Sequence, residues 1–182
     1  MRYLLKKTVA MVGMMGAGKT AVGQALAVRL GVPFRDSDTE IVAASNMEIA
    51  EIFAKYGEAF FREKEAQVLA RLLDGAPSVL STGGGAYLRE ENRALVSRRG
   101  VALWLKADLD LLWSRVRHKA TRPLLNTADP RATLAELCAA REPIYAKADL
   151  VVETRPGFSI AKTTERAVAA LADRPDVLEK AR

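Results

Sequence analysis

Gly13-Met14-Met15-Gly16-Ala17-Gly18-Lys19-Thr20 follows the apolar run Val9-Ala10-Met11-Val12 and opens onto Val22, Ala25, Leu26 and Leu30, apolar positions at helical spacing. The order is strand, glycine turn, helix start. The spacing G-x-x-x-x-G-K-[ST] has a mechanical reason: glycines let successive backbone N–H groups turn inward around a phosphate, and the helix N-terminus adds partial positive charge. Lys19 then reaches the terminal phosphates, and the Thr20 hydroxyl is placed to ligate Mg²⁺. The stretch therefore implies a nucleoside-triphosphate site, ATP or GTP, and the rest of the chain must say what receives the phosphoryl group.

At 182 residues the chain fits one domain spanning 1–182, large enough to bury a full core. Its 49% hydrophobic and 27% charged residues are those of an ordinary globule. One cysteine, Cys138, excludes a disulfide framework, and one histidine, His118, leaves no Cys/His metal site, so any metal must take oxygen ligands, as Mg²⁺ does. The basic N-terminus, Met1 to Lys7, has no apolar stretch of signal-peptide length, and no window approaches a membrane span, so a cytoplasmic protein with no membrane partner is expected. The net charge of +6 is compatible with nucleic acid or with small anions. Few aromatics interleave with Lys and Arg, which argues against nucleic acid.

After the glycine turn, the first helix stops at Gly31, with Pro33 just beyond. Val32 to Asp38 reads as a second strand ending in two carboxylates, Asp36 and Asp38, which share a face if strand geometry persists through them. Alternatively Asp38 only caps the helix from Thr39. A nucleotide site in the same sheet favours the ligand reading, because open α/β sheets bind outside the carboxyl ends of their strands. Asn46 to Leu73 reads as two helices parted at Gly57, with Arg62 and Glu65 on the apolar stripe of the second. Either the two satisfy each other as an i,i+3 pair, or Glu65 orients a guanidinium for a ligand carboxylate; spacing does not choose.

Ser78 to Ser81 is a short strand running into Thr82-Gly83-Gly84-Gly85, a turn that lets another molecule approach the backbone. Val101 to Leu105 is a strand covered on both faces, and Asp108 caps the next helix. Arg115, Arg117, His118, Lys119 and Arg122, followed by Pro123 and a polar loop, suit a mobile lid over about 115–130 that brings a cation onto transferring phosphates. Ala132 to Ala140 is helical, and Pro143 perturbs the chain beyond Arg141. Arg141, taken alone, is a surface arginine. Leu150 to Glu153 is the last strand and Ile160 to Leu171 the closing helix; Asp173 to Arg182 is polar and is expected to fray. The alternation gives an α/β three-layer sandwich, a five-stranded parallel sheet with helices on both faces.

Six blocks together resemble the shikimate kinase family, over Val9 to Leu171: G-M-M-G-A-G-K-T (13–20), D-S-D (36–38), G-E-A-F-F-R-E-K-E (57–65), T-G-G-G (82–85), R-P-L-L (122–125) and R-E-P-I-Y (141–145). The resemblance implies the nucleoside monophosphate kinase-like P-loop fold with sheet order 2-3-1-4-5. It implies transfer of the ATP γ-phosphate to the 3-hydroxyl of shikimate, on the route to chorismate and the aromatic amino acids, by a monomer. It places shikimate against Asp38, Arg62, Gly83, Gly84, Gly85 and Arg141, within a substrate-binding region of about 36–65 that the later glycine turn and Arg141 complete. It places ATP against Gly16, Ala17, Gly18, Lys19, Thr20, Ala21, Arg115 and Arg122, with Mg²⁺ on Thr20 and, through water, Asp36. Lys19, Asp38 and Arg122 are the implied catalytic residues.

The chain departs from the family after its last strand. The family's usual adenine-clamping proline falls on Ser159, Pro156 stands earlier, and the Arg or Gln often found nearby falls on Gly157. Arg115 matches the family's other stacking position; how the adenine is otherwise held is left open by Ser159 and Gly157. A gluconate kinase-like enzyme and a binding regulator without catalysis are the alternatives. Arg62 and the glycine turn oppose the first; Lys19, Thr20, Asp36, Asp38 and Arg122 oppose the second.

Overall fold

Two strands lie near the N-terminus, Tyr3–Leu5 (β1) and Thr8–Val12 (β2), and they join different sheets. The computed structural model describes residues 2–119 and 123–181. All five residues of β2 are buried, so it takes the centre of the main sheet. Phe34–Asp36 (β3), Val79–Ser81 (β4), Gly100–Lys106 (β5) and Leu150–Glu153 (β6) complete that sheet in the order β3-β4-β2-β5-β6, all parallel. Counted along the chain, this is the expected 2-3-1-4-5.

The order positions the site. Val9 pairs with Val79 on one side and Val101 on the other, and Asp36 pairs with Ser81. The loops leaving β2, β3 and β4 therefore emerge side by side at the carboxyl end of three adjacent strands. They carry the phosphate loop, the aspartate pair and the glycine triplet.

Helices flank the sheet: Lys19–Leu30 (α1), Ser37–Ser45 (α2), Ile49–Asp74 (α3), Glu90–Arg99 (α4), Leu109–Val116 (α5), Pro130–Tyr145 (α6) and Ile160–Ala172 (α7). α1 packs on α7, α3 on α4 and α5 on α6. α3 is broken at Gly57 (φ 84°, ψ 174°), as the spacing predicts. The main core surrounds β2 and β5, while Ile41, Ile52, Phe61 and Val68 form a second, small core between α2 and α3. The region ending at Arg62 and Glu65 thus has apolar packing of its own.

Three expectations are corrected. β3 ends at Asp36, and Ser37 already begins α2, because the Asp36 carboxylate caps that helix instead of continuing the strand. α6 is longer than expected and runs through Pro143 to Tyr145. The tail does not fray: Leu178–Lys180 (β7) pairs antiparallel with β1, and Val177 and Leu178 are buried. Two apolar residues in a polar stretch were too short a signal to predict a strand whose partner lies at the other end of the chain. Among the described residues no helix is long and apolar enough to cross a membrane.

Candidate active site

The phosphate loop joins β2 to α1 with Gly13, Gly16 and Gly18 at positive φ. Gly18 precedes α1 in a left-handed conformation (φ 98°) and has no side chain with which to cap the helix, whose N-terminus lines a cleft. Lys19 folds over the loop, its Nζ donating to the carbonyls of Gly13 (2.8 Å) and Met14 (3.0 Å). From α5, Nη1 of Arg115 donates to the carbonyls of Gly16 and Ala17, both at 3.0 Å. α5 lies so close that a Cβ on Gly16 would stand 2.7 Å from Val116.

A cleft of about 640 Å³ opens beside the loop. Gly16 to Ala21, Asp36, Asp38, Gly83 and Gly84 line it. Oδ1 of Asp36 accepts the N–H groups of Asp38 (3.0 Å) and Thr39 (3.1 Å). Asp38 occupies the first turn of α2 and still faces the cleft, so both acids reach it, but through a strand-to-helix switch rather than strand alternation. Burial pushes the Asp38 carboxyl above its ordinary value and the Asp36 charge adds to this, while Lys19 and Arg62 pull it back.

The glycine triplet after β4 is where the remaining residues meet. A Cβ on Gly83 would lie 3.3 Å from Oδ1 of Asp38 and 3.4 Å from Oε2 of Glu65. One on Gly84 would lie 3.2 Å from Nη1 of Arg141, and one on Gly85 would collide with Nη1 and Nη2 of Arg62 at 2.5 Å. Three successive residues without side chains thus admit a carboxylate pair and two guanidinium groups. The turn is tied down by Gly83 N–H donating to Ser37 Oγ (3.2 Å) and by the Tyr145 hydroxyl donating to the Gly84 carbonyl (2.5 Å).

Arg62 pairs with Glu65 at 2.9 Å, the i,i+3 pair that the spacing allowed, and with Glu58 at 3.5 Å. Glu65 is buried, and burial raises its carboxyl above the ordinary value against the pull of Arg62. Its Oε2 is buried without a hydrogen-bond donor among the described residues. Arg141, which taken alone reads as a surface arginine, stands instead against Gly84, and Tyr145, one turn on, anchors α6 to the turn.

Arg122 lies outside the described residues. Ser159 caps α7, its Oγ accepting Lys162 N–H at 3.0 Å. Sequence reasoning gave no role to Tyr145, although it closes the R-E-P-I-Y block, and it passed over Phe158, Ile160, Thr154 and Thr163, which also line the cleft. No signal in the spacing points to the two threonines. Among the described residues no group of three or more acidic, Cys or His side chains gathers as for a metal cage. Thr20 and Asp36 on one cleft suit instead a cation held by one or two protein oxygens and substrate phosphates.

The family profile described as Shikimate kinase matches residues 15–172. A shikimate kinase of Ruegeria pomeroyi is 66% identical over 96% of this chain and 90% of its own length, and one of Cereibacter sphaeroides is 66% identical over 96% and 87%. Among solved structures, shikimate kinase from Acinetobacter baumannii in complex with shikimate superposes with TM-score 0.84 at 36% identity, covering 92% of this chain and 94% of that one. A gluconokinase from Sinorhizobium meliloti gives 0.59 at 17% identity over 95% and 94%, a likeness of fold alone. With a matched profile over most of its length and relatives this near, the chain belongs to the shikimate kinase family.

Proposed function

We infer that the chain transfers the γ-phosphate of ATP to the 3-hydroxyl of shikimate, giving shikimate 3-phosphate and ADP. The observation that carries this is the convergence of Asp38, Glu65, Arg62 and Arg141 on Gly83 to Gly85, beside a loop shaped for phosphates. Two planar guanidinium groups suit a carboxylate, and Asp38 suits a vicinal hydroxyl. The unpartnered Oε2 of Glu65 is an acceptor for which a hydroxylated ligand supplies the donor.

In this reading Arg62 and Arg141 hold the substrate carboxylate across the glycine turn, and Glu65 keeps Arg62 in place. Asp38 accepts the hydroxyl proton or orients it, and its raised pKa strengthens it as a base. The α1 N-terminus and Lys19 hold the phosphates, and Arg115 fixes the loop that presents them. Arg122, assigned through its R-P-L-L block, stabilises charge on the transferring group; an arginine in such a role matters by roughly 10³- to 10⁵-fold. Thr20 and, through water, Asp36 would hold Mg²⁺, which when bound would neutralise charge on the phosphates. The segment of about 115–130 closes as a lid and keeps water from the phosphoryl group. By family resemblance we place the chain as one domain and a monomer in the cytoplasm, with no nucleic-acid or membrane partner.

The test is ATP-dependent phosphate transfer measured against shikimate, gluconate and water. Shikimate-dependent ADP release that requires Mg²⁺ is expected. Well-folded protein that ignores shikimate and accepts another hydroxylated acid would overturn the substrate, and ligand binding without turnover would overturn catalysis.

A further inference from the structure

We propose that Phe158 forms the wall of the nucleotide cleft on which the nucleobase stacks, opposite Arg115, and that Pro156 and Gly157 form the turn that presents it. This rests on the nucleotide reading of the cleft given above. The chain Thr154-Arg155-Pro156-Gly157-Phe158-Ser159 leaves β6 and enters α7. Phe158 N–H donates to the Arg155 carbonyl at 3.0 Å, closing a four-residue turn with proline second and glycine third. Gly157 has φ +81°, the left-handed value the third place of a type II turn requires, and proline presets the second. Nothing stands within 4 Å of a Cβ on Gly157, so the glycine answers the backbone and not crowding. Ser159 then caps α7. Each departure at 156, 157 and 159 thus has a local structural task, and together they deliver one aromatic ring.

That ring lines the same cleft as Gly16 to Ala21 and Arg115. Lys162 Nζ lies 4.1 Å from its centroid and Arg166 5.6 Å, both from α7, one turn apart, and cation–π attraction holds the ring in place. Arg115 is held by the phosphate-loop carbonyls. With phosphates on Gly16 to Thr20, the other end of a nucleotide extends toward α5 and the start of α7. There the cleft offers a flat apolar ring and a planar guanidinium, surfaces that accept the π-face of a base.

The experiment measures the affinity of ADP and of inorganic tripolyphosphate, each with Mg²⁺, for wild type, Phe158→Ala, Phe158→Leu and Phe158→Trp by calorimetry. A base-stacking ring predicts that Phe158→Ala and Phe158→Leu bind ADP roughly tenfold more weakly, that Phe158→Trp keeps ADP affinity, and that tripolyphosphate binds all four within about twofold. Unchanged ADP affinity in Phe158→Ala would overturn the proposal, as would an equal loss for both probes or no difference between Leu and Trp. Wild type that binds neither probe would overturn the nucleotide reading itself, and the proposal with it.

Discussion

Asp38 and Tyr145 each give a prediction at the scale of single atoms. Burial and the neighbouring Asp36 charge hold the Asp38 carboxyl above its ordinary value, so its base form is lost as pH falls through that raised value. The acid limb of kcat should therefore lie above the usual aspartate range of about 3.9. Asp38→Asn should lower kcat by at least about 10²-fold while ADP still binds; steady-state rates and ADP titration check this, and near-normal turnover would remove Asp38 from the chemistry. Tyr145 is fully buried, burial keeps its hydroxyl protonated, and it donates to Gly84. Tyr145→Phe keeps the ring but removes the hydrogen bond to a part-buried carbonyl that lines the cleft, an expected loss of about 0.5–1.5 kcal/mol. It should also raise KM for shikimate several-fold with KM for ATP unchanged, because Arg141 and the turn lose their common anchor; equal changes in both KM values would leave Tyr145 only a stability role. The aspartates were legible in the sequence because D-x-D follows a strand. Tyr145 was not, because its partner is 61 residues away and only the packed helix brings them together.

At the scale of the element, the turn after β4 shows what local pattern can and cannot disclose. The phosphate loop was legible because its eight residues carry their own mechanism, and the break at Gly57 because a glycine interrupts helical spacing. The glycine triplet was weak alone: its meaning lies in Asp38, Arg62 and Arg141, which arrive from α2, α3 and α6. Gly85 tests that meaning. Its backbone is ordinary (φ −95°, ψ −12°), so alanine strains nothing there, but the added Cβ would meet the Arg62 guanidinium at 2.5 Å. A flexible side chain yields before backbone does. Gly85→Ala should therefore act through Arg62, and because the displaced guanidinium also loosens its pair with the buried Glu65, some fall in the unfolding midpoint is expected. The substitution should raise KM for shikimate about tenfold or more by breaking a charge-assisted contact, with ATP binding kept. A fall in stability with an unchanged KM would show that the turn needs glycine for packing.

Across the whole molecule, work and cohesion occupy opposite ends of the sheet. The site lies beyond the carboxyl ends of β2, β3 and β4, whereas β1 leads into the amino end of β2 and pairs there with β7. That ribbon joins the two ends of the chain: Lys6 N–H donates to the Val177 carbonyl, and Leu5, Val177 and Leu178 enter the main core. Arg174 first, and then Lys7, hold the Asp176 carboxyl far below the usual range, but these groups are exposed and their pairing matters less than the apolar burial. The sequence hid this because the β1–β7 pair is three residues long on each side and spans nearly the full chain, so no local period marks it. Ending the chain at Asp173 should remove the burial of Val177 and Leu178, about 1.5–3 kcal/mol each, and uncover Leu5. At about 2–4 °C per kcal/mol for a chain this long, the unfolding midpoint should fall by roughly 6–24 °C. Because β2 separates the ribbon from the phosphate loop, kcat and both KM values measured well below that midpoint should stay within about twofold. Thermal unfolding and steady-state kinetics on the truncated chain decide it: a rate loss without a stability loss would mean that the ribbon communicates with the site, and a midpoint that does not move would mean that Val177 and Leu178 add nothing to the core they enter.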